Sequence, residues 1–396
     1  MNYDITIVGA GLVGLATAYQ LLQRDTTLKL AVIDKETSVG QHQSGHNSNV
    51  IHSGVYYPPD SLKAINCLRG YRMMLEYCDA HDLPYELCGK VIVATEEAEL
   101  PLLQAIYERG VANGLEGLRR LKSNQEIQEY EPNVEGIAAI HVKQSGIISY
   151  PKVAQQLRHD IERMGGTFYL GEPVEHLDLA TNEVTVRTPR QQIKTKQLIN
   201  CAGLYADRLA EMSGEQIDFK ILPFRGEYYE LRPEKRQLVK GLIYPVPNPA
   251  FPFLGVHFTK MVDGRVEAGP NAVLAYRREG YTNRQVHMGE LAETLFYPGF
   301  RKLATAYWRD GLRELQRSYS KAAFVKALRK LMPSVQSDDL VKGGAGVRAQ
   351  AVRPDGSMVE DFLMLQNERV LNVCNAPSPA ATSCLSIGET IASRLF

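Results

Sequence analysis

The prediction of the fold begins with the stretch DITIVGAGLVGLATAYQLL, residues 4–22. Residues 5–8 are a short apolar run, residues 9–14 match the pattern G-x-G-x-x-G, and residues 15–22 carry apolar side chains at helical spacing. A strand, a glycine-rich turn and a helix in this order are typical of the start of a dinucleotide-binding unit. The free N–H groups at the start of the helix would bind the phosphates.

The three glycines and the acid that follows them have separate tasks. Gly9 permits a tight turn, Gly11 lets the backbone approach a pyrophosphate, and Gly14 lets the helix pack closely on the sheet. Asp34 ends the next apolar run, KLAVIDK, where a carboxylate can bind a ribose diol and repel a 2′-phosphate. The pattern therefore disfavours NADP but does not choose between NAD and FAD. The competing interpretation is a glycine-rich turn in an ordinary α/β fold.

The composition narrows the class of protein. Among 396 residues, Lys plus Arg and Asp plus Glu each total 45, so no overall positive field would attract nucleic acid. The six cysteines contain no C-x-x-C pair and are expected to be reduced core thiols, not metal ligands or disulfides. Asp4 and the three glycines interrupt the first apolar run, which therefore does not resemble a signal peptide. Since no run is long enough to span a membrane, we expect a cytoplasmic location.

The rest of the chain departs from the regular βαβ units of a simple NAD dehydrogenase. Residues 36–60 form a long polar loop that could cover an extended cofactor, and a helix is predicted near residues 62–81. Residues 221–260 alternate like strands, and residues 285–331 have helical spacing. These patterns predict an α/β fold of mixed α+β character, in which a Rossmann-like domain is interleaved with a mixed or antiparallel-sheet substrate domain.

The predicted domains are both discontinuous. The nucleotide-binding domain is assigned to residues 1–88, 145–220 and 340–396. The substrate domain is assigned to residues 89–144 and 221–339, with a basic helical insertion at 281–331.

Several long motifs resemble a known group of flavoenzymes. The resemblance rests on the opening motif and on six further segments: HNSNVIHSGVYY (46–57), NCAGLYADRLA (200–210), PFRGEYYEL (223–231), PFLGVHFTKMVDGRVEAGPNAVLAYRREGY (252–281), GVRAQAVRPDG (346–356) and CNAPSPAATS (374–383). The chain resembles the D-amino-acid-oxidase-like FAD oxidoreductases and, within them, the L-2-hydroxyglutarate oxidases or dehydrogenases. The resemblance implies noncovalent FAD and oxidation of L-2-hydroxyglutarate to 2-oxoglutarate. It also implies hydride transfer from C2 to flavin N5 and electron delivery to O2 or a membrane quinone.

Oxidation of a 2-hydroxy acid needs a base for the hydroxyl proton and cations for the carboxylates. His257 is the first candidate for the base, and His52 is expected to position the substrate or the flavin. For each, a hydrogen-bonded packing histidine is the alternative. Arg348 matches the place where related flavin oxidases hold a substrate carboxylate, and Arg225 is the candidate for the second carboxylate, with salt bridges as the alternative. Lesser candidates for substrate contact are Tyr57, Tyr228 and Asn271.

The resemblance also implies a set of cofactor contacts. These are Gly9, Gly11, Gly14, Asp34, Lys35, Ser44, His46, Asn47, Ser48, Val174, Cys201, Gly203, Gly346, Asn375, Ala380, Ala381 and Thr382. The last helix, with Thr382 or Ser383 as its N-cap, would point its positive end at the pyrimidine edge of the flavin. His42 and His46 lie four residues apart, but the glycine between them predicts a loop, so no metal site is expected.

Residues 281–330 contain ten Lys or Arg against four acids, interleaved with aromatic residues. Basic amphipathic helices of this kind would bind an anionic membrane surface at the inner face of the cell membrane and bring reduced flavin close to quinone. The alternative is a solvated face whose aromatic side chains lie in the core. Two further functions stay open: FAD-dependent oxidation of another small hydroxy acid, an amino acid, a secondary amine or glycerol 3-phosphate, and a dinucleotide-binding regulator without turnover.

Overall fold

The computed structural model describes residues 2–247 and 255–395. Part of the strand-like stretch at 221–260 lies outside the described residues, as does the start of the motif at 252–281. The helices are α1 (Leu12–Arg24), α2 (Leu62–Ala80), α3 (Leu100–Ala112), α4 (Asn124–Tyr130), α5 (Tyr150–Arg163), α6 (Ala206–Met212), α7 (Met288–Phe296), α8 (Pro298–Ala306), α9 (Trp308–Tyr319), α10 (Lys321–Leu328) and α11 (Ala380–Ala392).

The strands form three sheets. They are β1 (Asn2–Val8), β2 (Leu30–Asp34), β3 (Val50–Ile51), β4 (Tyr85–Glu86), β5 (Lys90–Ala94), β6 (Leu118–Leu121), β7 (Ala138–Val142), β8 (Gly146–Ile148), β9 (Thr167–Leu170), β10 (His176–Leu179), β11 (Val184–Arg187), β12 (Gln192–Asn200), β13 (Lys220–Leu231), β14 (Leu242–Pro245), β15 (His257–Lys260), β16 (Val266–Gly269), β17 (Val273–Leu274), β18 (Leu340–Val352), β19 (Leu363–Gln366) and β20 (Val370–Asn375).

The first sheet has a parallel core in the order β9-β2-β1-β12-β20, with β10, β11 and β19 antiparallel to their neighbours. Helices α1, α5 and α11 pack on one face of this core through apolar side chains that include Leu15, Leu157 and Ile387. The glycine turn follows β1 directly and leads into α1, as the sequence predicts. This parallel arrangement confirms the Rossmann-like part of the fold.

The second sheet has nine strands and is mixed. Its order is β17-β13-β16-β15-β14-β5-β7-β6, with β18 also paired to β13, and β14–β5 is its parallel pair. The mixed-sheet prediction is therefore confirmed. The division into domains stays a prediction, although β18 pairs with β13 of this sheet while the sequence groups its residues with the nucleotide-binding domain. A small third sheet, β3-β8-β4, completes the strands described.

The long β13–β18 pairing brings cavity residues together. Phe224 lies opposite Arg348, and Gly226 lies opposite Gly346. A Cβ atom at Gly346 would lie 2.4 Å from the backbone oxygen of His46, so β18 passes directly against the polar loop that follows β2. This close approach fixes the loop to the second sheet.

The segment predicted to be helical at residues 285–331 forms α7 to α10. Helix α9 buries Glu314, whereas its apolar residues Trp308, Leu312 and Leu315 are exposed. Tyr297, in contrast, belongs to the core. Among the described residues, every helix is too short or too polar to cross a bilayer. All six cysteines are free.

Candidate active site

A cavity of about 1230 Å³ lies where the carboxyl ends of the parallel strands meet the second sheet. Ligands bind at this edge in open α/β folds. The candidates that line it are Gly9, Gly11, Asp34, Lys35, Ser44, His46, Asn47, Ser48, His52, Tyr57, Val174, Cys201, Gly203, Arg225, Tyr228, His257, Asn271, Gly346, Arg348, Asn375, Ala380 and Ala381. Gly14 and Thr382 do not line it.

The glycine turn leaves room for a phosphate bridge. Gly9 has a φ of +111°, and a Cβ atom there would lie 2.3 Å from the backbone oxygen of Cys201. A Cβ atom at Gly14 would lie 2.0 Å from the backbone oxygen of Gly9, so Gly14 permits close packing of α1 and does not reach the cavity. Leu12 N donates to Ser44 Oγ at 2.9 Å, which ties the polar loop to the start of α1. The turn therefore fits a dinucleotide.

Two carboxylates lie at the end of β2. Asp34 accepts hydrogen bonds from Ala10 N at 2.6 Å and from Glu36 N at 2.8 Å. Burial raises the pKa of Asp34, although these N–H groups oppose the shift. Each carboxylate oxygen retains acceptor capacity for a ribose hydroxyl. Glu172, which the sequence reasoning missed, is buried, lines the same end of the cavity, and has an Oε2 atom with no hydrogen-bond partner among the described residues.

Lys35 lies in a charged cluster at this end of the cavity. Its Nζ atom lies 2.7 Å from Glu279 Oε1 and also pairs with Glu36. His42 Nε2 lies 3.0 Å from the same Glu279 oxygen, and His42 Nδ1 lies 2.8 Å from Tyr281 Oη. Burial alone would raise the pKa of Glu279, but hydrogen bonds from His42 and Lys35 lower it to about 2. Although Glu36, His42 and Glu279 are spaced closely enough for a metal ion, the Lys35 ammonium already supplies a positive charge there.

His257 begins β15 and is held in one tautomer. Its Nδ1 atom lies 3.0 Å from the Gly255 carbonyl oxygen, which can only accept, so Nδ1 carries the proton. Its Nε2 atom is buried and has no partner among the described residues. Burial lowers the pKa of His257 to about 3. The ring stacks on Tyr244 with centroids 3.9 Å apart. His257 therefore lines the cavity as a neutral imidazole with a free acceptor atom.

His52 follows β3 and lines the same cavity. Its backbone N donates to Thr382 Oγ1 at 3.1 Å, and its carbonyl accepts from Cys67 Sγ at 3.3 Å. Burial, with the nearby Lys90, His257 and Arg348, lowers the pKa of its imidazole well below the usual value. The structure thus brings both candidate histidines into one space as neutral side chains.

Arg348 projects from β18 into the cavity. Its side chain is exposed to this interior space, yet it lies deep in the protein, and burial lowers the pKa of its guanidinium. The phenols of Tyr57 and Tyr228 are among its titratable neighbours, and burial raises both of their pKa values far above the ordinary one. Both phenols stay protonated at neutral pH and can donate hydrogen bonds. A cation beside two donors is suited to a carboxylate.

Arg225 is buried and is already bound by the protein. Its Nε atom donates to Glu227 Oε1 at 3.2 Å, Nη1 donates to the Thr282 carbonyl at 3.4 Å, and Nη2 donates to Asn283 Oδ1. Asn271 is also engaged: its Oδ1 accepts from Glu227 N at 2.7 Å and its Nδ2 donates to Glu227 Oε2 at 2.9 Å. Both residues line the cavity, but their polar atoms hold Glu227 and the 282–283 loop.

The last helix begins differently from the prediction. Helix α11 starts at Ala380 after Pro379, and no side chain caps it, so the prediction of Thr382 or Ser383 as N-cap is wrong. The Thr382 hydroxyl is instead buried, 2.8 Å from Tyr150 Oη. This bond ties α11 to the start of α5 and competes with capping. Ala380 and Ala381 in the first turn still line the cavity.

The sequence reasoning missed two lysines. Lys63, which lines the cavity, has no carboxylate oxygen within 4.0 Å in the described part of the chain. Burial lowers its pKa, the charges of Asp361 and Glu360 oppose this shift, and the charge of Arg348 adds to it. Lys90 is buried behind the cavity, next to Tyr244. Its position inside the apolar run GKVIVAT (89–95) could have identified it from the sequence, because a lysine in a buried strand is rare and usually has a specific partner.

The chain matches known proteins over nearly its whole length. The family model described as FAD dependent oxidoreductase, DAO, matches residues 4–394. The L-2-hydroxyglutarate dehydrogenase of Indibacter alkaliphilus is 50% identical over 392 residues, with 99% of this chain and 98% of the relative covered. That of Escherichia coli K12 is 44% identical, with 99% and 93% covered. The human mitochondrial L-2-hydroxyglutarate dehydrogenase is 42% identical, with 100% and 89% covered.

Solved structures show the same fold at lower identity. The dithionite-reduced L-α-glycerophosphate oxidase of Mycoplasma pneumoniae, with FAD bound, matches with a TM-score of 0.81 at 23% identity and covers 100% of this chain and 94% of that one. The glycine oxidase of Geobacillus kaustophilus matches with a TM-score of 0.73 at 18% identity and covers 99% and 94%. The prediction of FAD as cofactor is confirmed by the family match. This chain belongs to the L-2-hydroxyglutarate dehydrogenase family of FAD-dependent oxidoreductases.

Proposed function

We propose that this chain oxidises L-2-hydroxyglutarate to 2-oxoglutarate with FAD. One observation carries the proposal: His257, a neutral imidazole whose buried Nε2 atom has no hydrogen-bond partner among the described residues, and Arg348 line one cavity, which continues to the glycine turn. A base and a carboxylate-binding cation are the two groups that a 2-hydroxy acid requires. The relatives' names agree with this substrate.

His257 is the proposed base. FAD, when bound, supplies the acceptor for the hydride that leaves C2. The Gly255 carbonyl keeps the proton on Nδ1, so Nε2 accepts the proton of the substrate hydroxyl. With a pKa of about 3 the imidazole is unprotonated throughout the physiological range, and the negative charges of the substrate would raise its basicity on binding. His52, which lines the same cavity, is proposed to orient the substrate.

The carboxylate next to the hydroxyl is assigned to Arg348, with Tyr57 and Tyr228 as additional donors. For the distal carboxylate the sequence predicts Arg225, but the contacts of Arg225 with Glu227, Thr282 and Asn283 occupy its donors. We therefore propose that Arg225 fixes the wall and that Lys63 binds the distal carboxylate. The ammonium of Lys63 is in the cavity and has no carboxylate partner within 4.0 Å among the described residues.

The cofactor is assigned to the remainder of the cavity. Asp34 and Glu172 would bind the ribose and adenine end, and the Gly9–Gly14 turn the pyrophosphate. The first turn of α11, with Ala380 and Ala381, would place its N–H groups and positive end where reduced flavin carries negative charge. The remaining predicted cofactor contacts, except Thr382, line the same cavity.

Electron transfer to a membrane quinone is the second part of the proposal, and dioxygen is the alternative acceptor. Helices α7 and α9 expose apolar side chains, with Phe296 78% and Trp308 55% exposed. Arg309 and Arg313 lie on the same helix as Trp308, Leu312 and Leu315. Exposed apolar groups beside cations suit the surface of an anionic bilayer. Contact there would shorten the path from reduced flavin to quinone.

Anaerobic reduction of the bound flavin tests the substrate. Purified yellow protein, mixed without air with L-2-hydroxyglutarate, should lose its oxidised-flavin absorbance, whereas the D-isomer, L-lactate and glycerol 3-phosphate should reduce it far more slowly. Persistent absorbance with L-2-hydroxyglutarate would overturn the proposal, and faster bleaching by another compound would reassign the substrate. Adding a soluble quinone analogue or air to the reduced protein then compares the two acceptors.

A further inference from the structure

A buried ammonium lies behind the cavity histidine. Lys90, the first residue of β5, is 1% exposed, and its Nζ atom lies 4.1 Å from the ring centroid of Tyr244 and 5.3 Å from that of Tyr56. Within residues 2–247 and 255–395, no carboxylate oxygen lies within 4.0 Å of this atom. A buried charge without a carboxylate partner costs free energy, and burial lowers the pKa of Lys90 to about 8.

Lys90 and His257 lie on opposite faces of one ring. The rings of His257 and Tyr244 are 3.9 Å apart between centroids and 22° from parallel. An ammonium 4.1 Å from the same centroid cannot share that face with the imidazole without a clash. Because β14 pairs with both β5 and β15, the sheet sets the order Lys90, Tyr244, His257, while Tyr56 contacts Lys90 from the loop after β3.

We propose that Lys90 is a positioning residue for the oxidation: its ammonium holds the Tyr244 ring as a platform for His257 and places a positive charge one ring away from the imidazole. The inference rests on the proposed role of His257 as base. A desolvated cation–π contact of this kind is attractive enough to restrict the tyrosine ring. The positive charge one ring away disfavours a second positive charge on His257, so Nε2 remains an acceptor.

The other titratable groups near the stacked rings of Tyr244 and His257 do not supply a positive charge in place of the Lys90 ammonium. Burial raises the pKa of the Cys67 thiol to about 12 and of the Cys88 thiol to about 11, so both are neutral beside Lys90. Tyr56 and His52 are neutral as well, because burial disfavours their charged forms. Arg348 is the other cation near the histidines, and it faces the cavity, where the substrate would neutralise it.

The pH dependence of flavin reduction tests the inference. Holoenzyme, Lys90→Met and Lys90→Arg are each brought by rapid mixing to about pH 2.5–9 and reduced anaerobically by L-2-hydroxyglutarate. In Lys90→Met, the acidic limb of the plot of flavin-reduction rate against pH should move up by about one pH unit, as expected for the loss of a charge about 8 Å away in a protein interior. In Lys90→Arg, which keeps the charge, this limb should stay in place. An unmoved limb in Lys90→Met, or an equal shift in both variants, would overturn the inference. Absence of bleaching in the wild type would instead contradict the proposed substrate.

A second measurement covers the case in which Lys90→Met loses its flavin. Histidine-¹⁵N spectra of wild-type holoenzyme, with His257 assigned by its loss in His257→Gln, should show the Nε2 signal responding to a titration near pH 8, where Lys90 deprotonates. Lys90→Arg should lack this response. A His257 signal that is unchanged around pH 8 in the wild type contradicts the inference.

Discussion

At the residue scale, the prediction for His257 follows from its single free acceptor atom. In His257→Gln, kcat/KM for L-2-hydroxyglutarate should fall by about 10²–10⁴-fold, because no group then accepts the hydroxyl proton. The substrate Kd should change little, since the residue does not hold a carboxylate. Stopped-flow flavin reduction at varied substrate concentration separates these quantities. The matched control is His141→Phe, at a half-buried histidine outside the cavity with a buried and equally partnerless Nδ1 atom, and it should retain the wild-type rate.

Substitutions of Lys63 and Arg225 test which of the two residues binds the distal carboxylate of the substrate. A charged hydrogen bond is worth about 1.5–3 kcal/mol, so Lys63→Met should raise KM for L-2-hydroxyglutarate by about 10–100-fold. L-2-hydroxybutyrate, which lacks the distal carboxylate, should be used equally by wild type and variant. Exposed Lys152→Met is the control. If Arg225→Met shows this diacid-selective loss and Lys63→Met does not, the assignment is reversed.

At the element scale, α9 is an amphipathic helix with its apolar residues outward. Trp308 is the one tryptophan of the sequence, so its fluorescence reports directly on this helix. Anionic vesicles at low salt should shift its emission to the blue, and zwitterionic vesicles or high salt should abolish the shift, because binding needs both apolar burial and charge. The double variant Arg309→Gln and Arg313→Gln should weaken the shift. Emission that does not respond to anionic vesicles would remove the membrane proposal.

At the scale of the whole molecule, buried neutral histidines make stability depend on pH. Burial, with Arg119 and Lys143 nearby, lowers the pKa of His141 to about 4, whereas the unfolded value is near 6.5. Between these two values the unfolded chain binds a proton at His141 that the folded chain does not bind. The contribution of His141 to the free energy of unfolding is therefore lost as the pH falls from about 6.5 to about 4. His141→Phe preserves the stacking on Tyr130 and removes the titration.

Chemical unfolding of wild type and His141→Phe, both with saturating FAD, measures this effect. Relative to wild type, the variant should gain about 1–2 kcal/mol in free energy of unfolding between about pH 7.5 and pH 4.5, a value reduced from the full shift because His141 is partly exposed. Parallel pH profiles for the two proteins would show that His141 titrates normally.

The opening glycine motif, the acid at Asp34 and the positions of the histidines were readable in the amino-acid order, because a strand–turn–helix unit and its phosphate contacts are local. The long motifs also pointed to the flavoenzyme family. Which side chains share a space was not readable: Lys63 on α2, His257 on β15 and Arg348 on β18 meet only after separate elements pack. In the folded chain Arg225 donates hydrogen bonds to Asn283 and Glu227, so its donors are already occupied. The Thr382 hydroxyl bonds with Tyr150 and does not cap a helix. The placement of Lys90 behind Tyr244 likewise depends on strand pairing. Periodicity reports the face a residue prefers, whereas its partners come from long-range contacts that the local pattern does not encode.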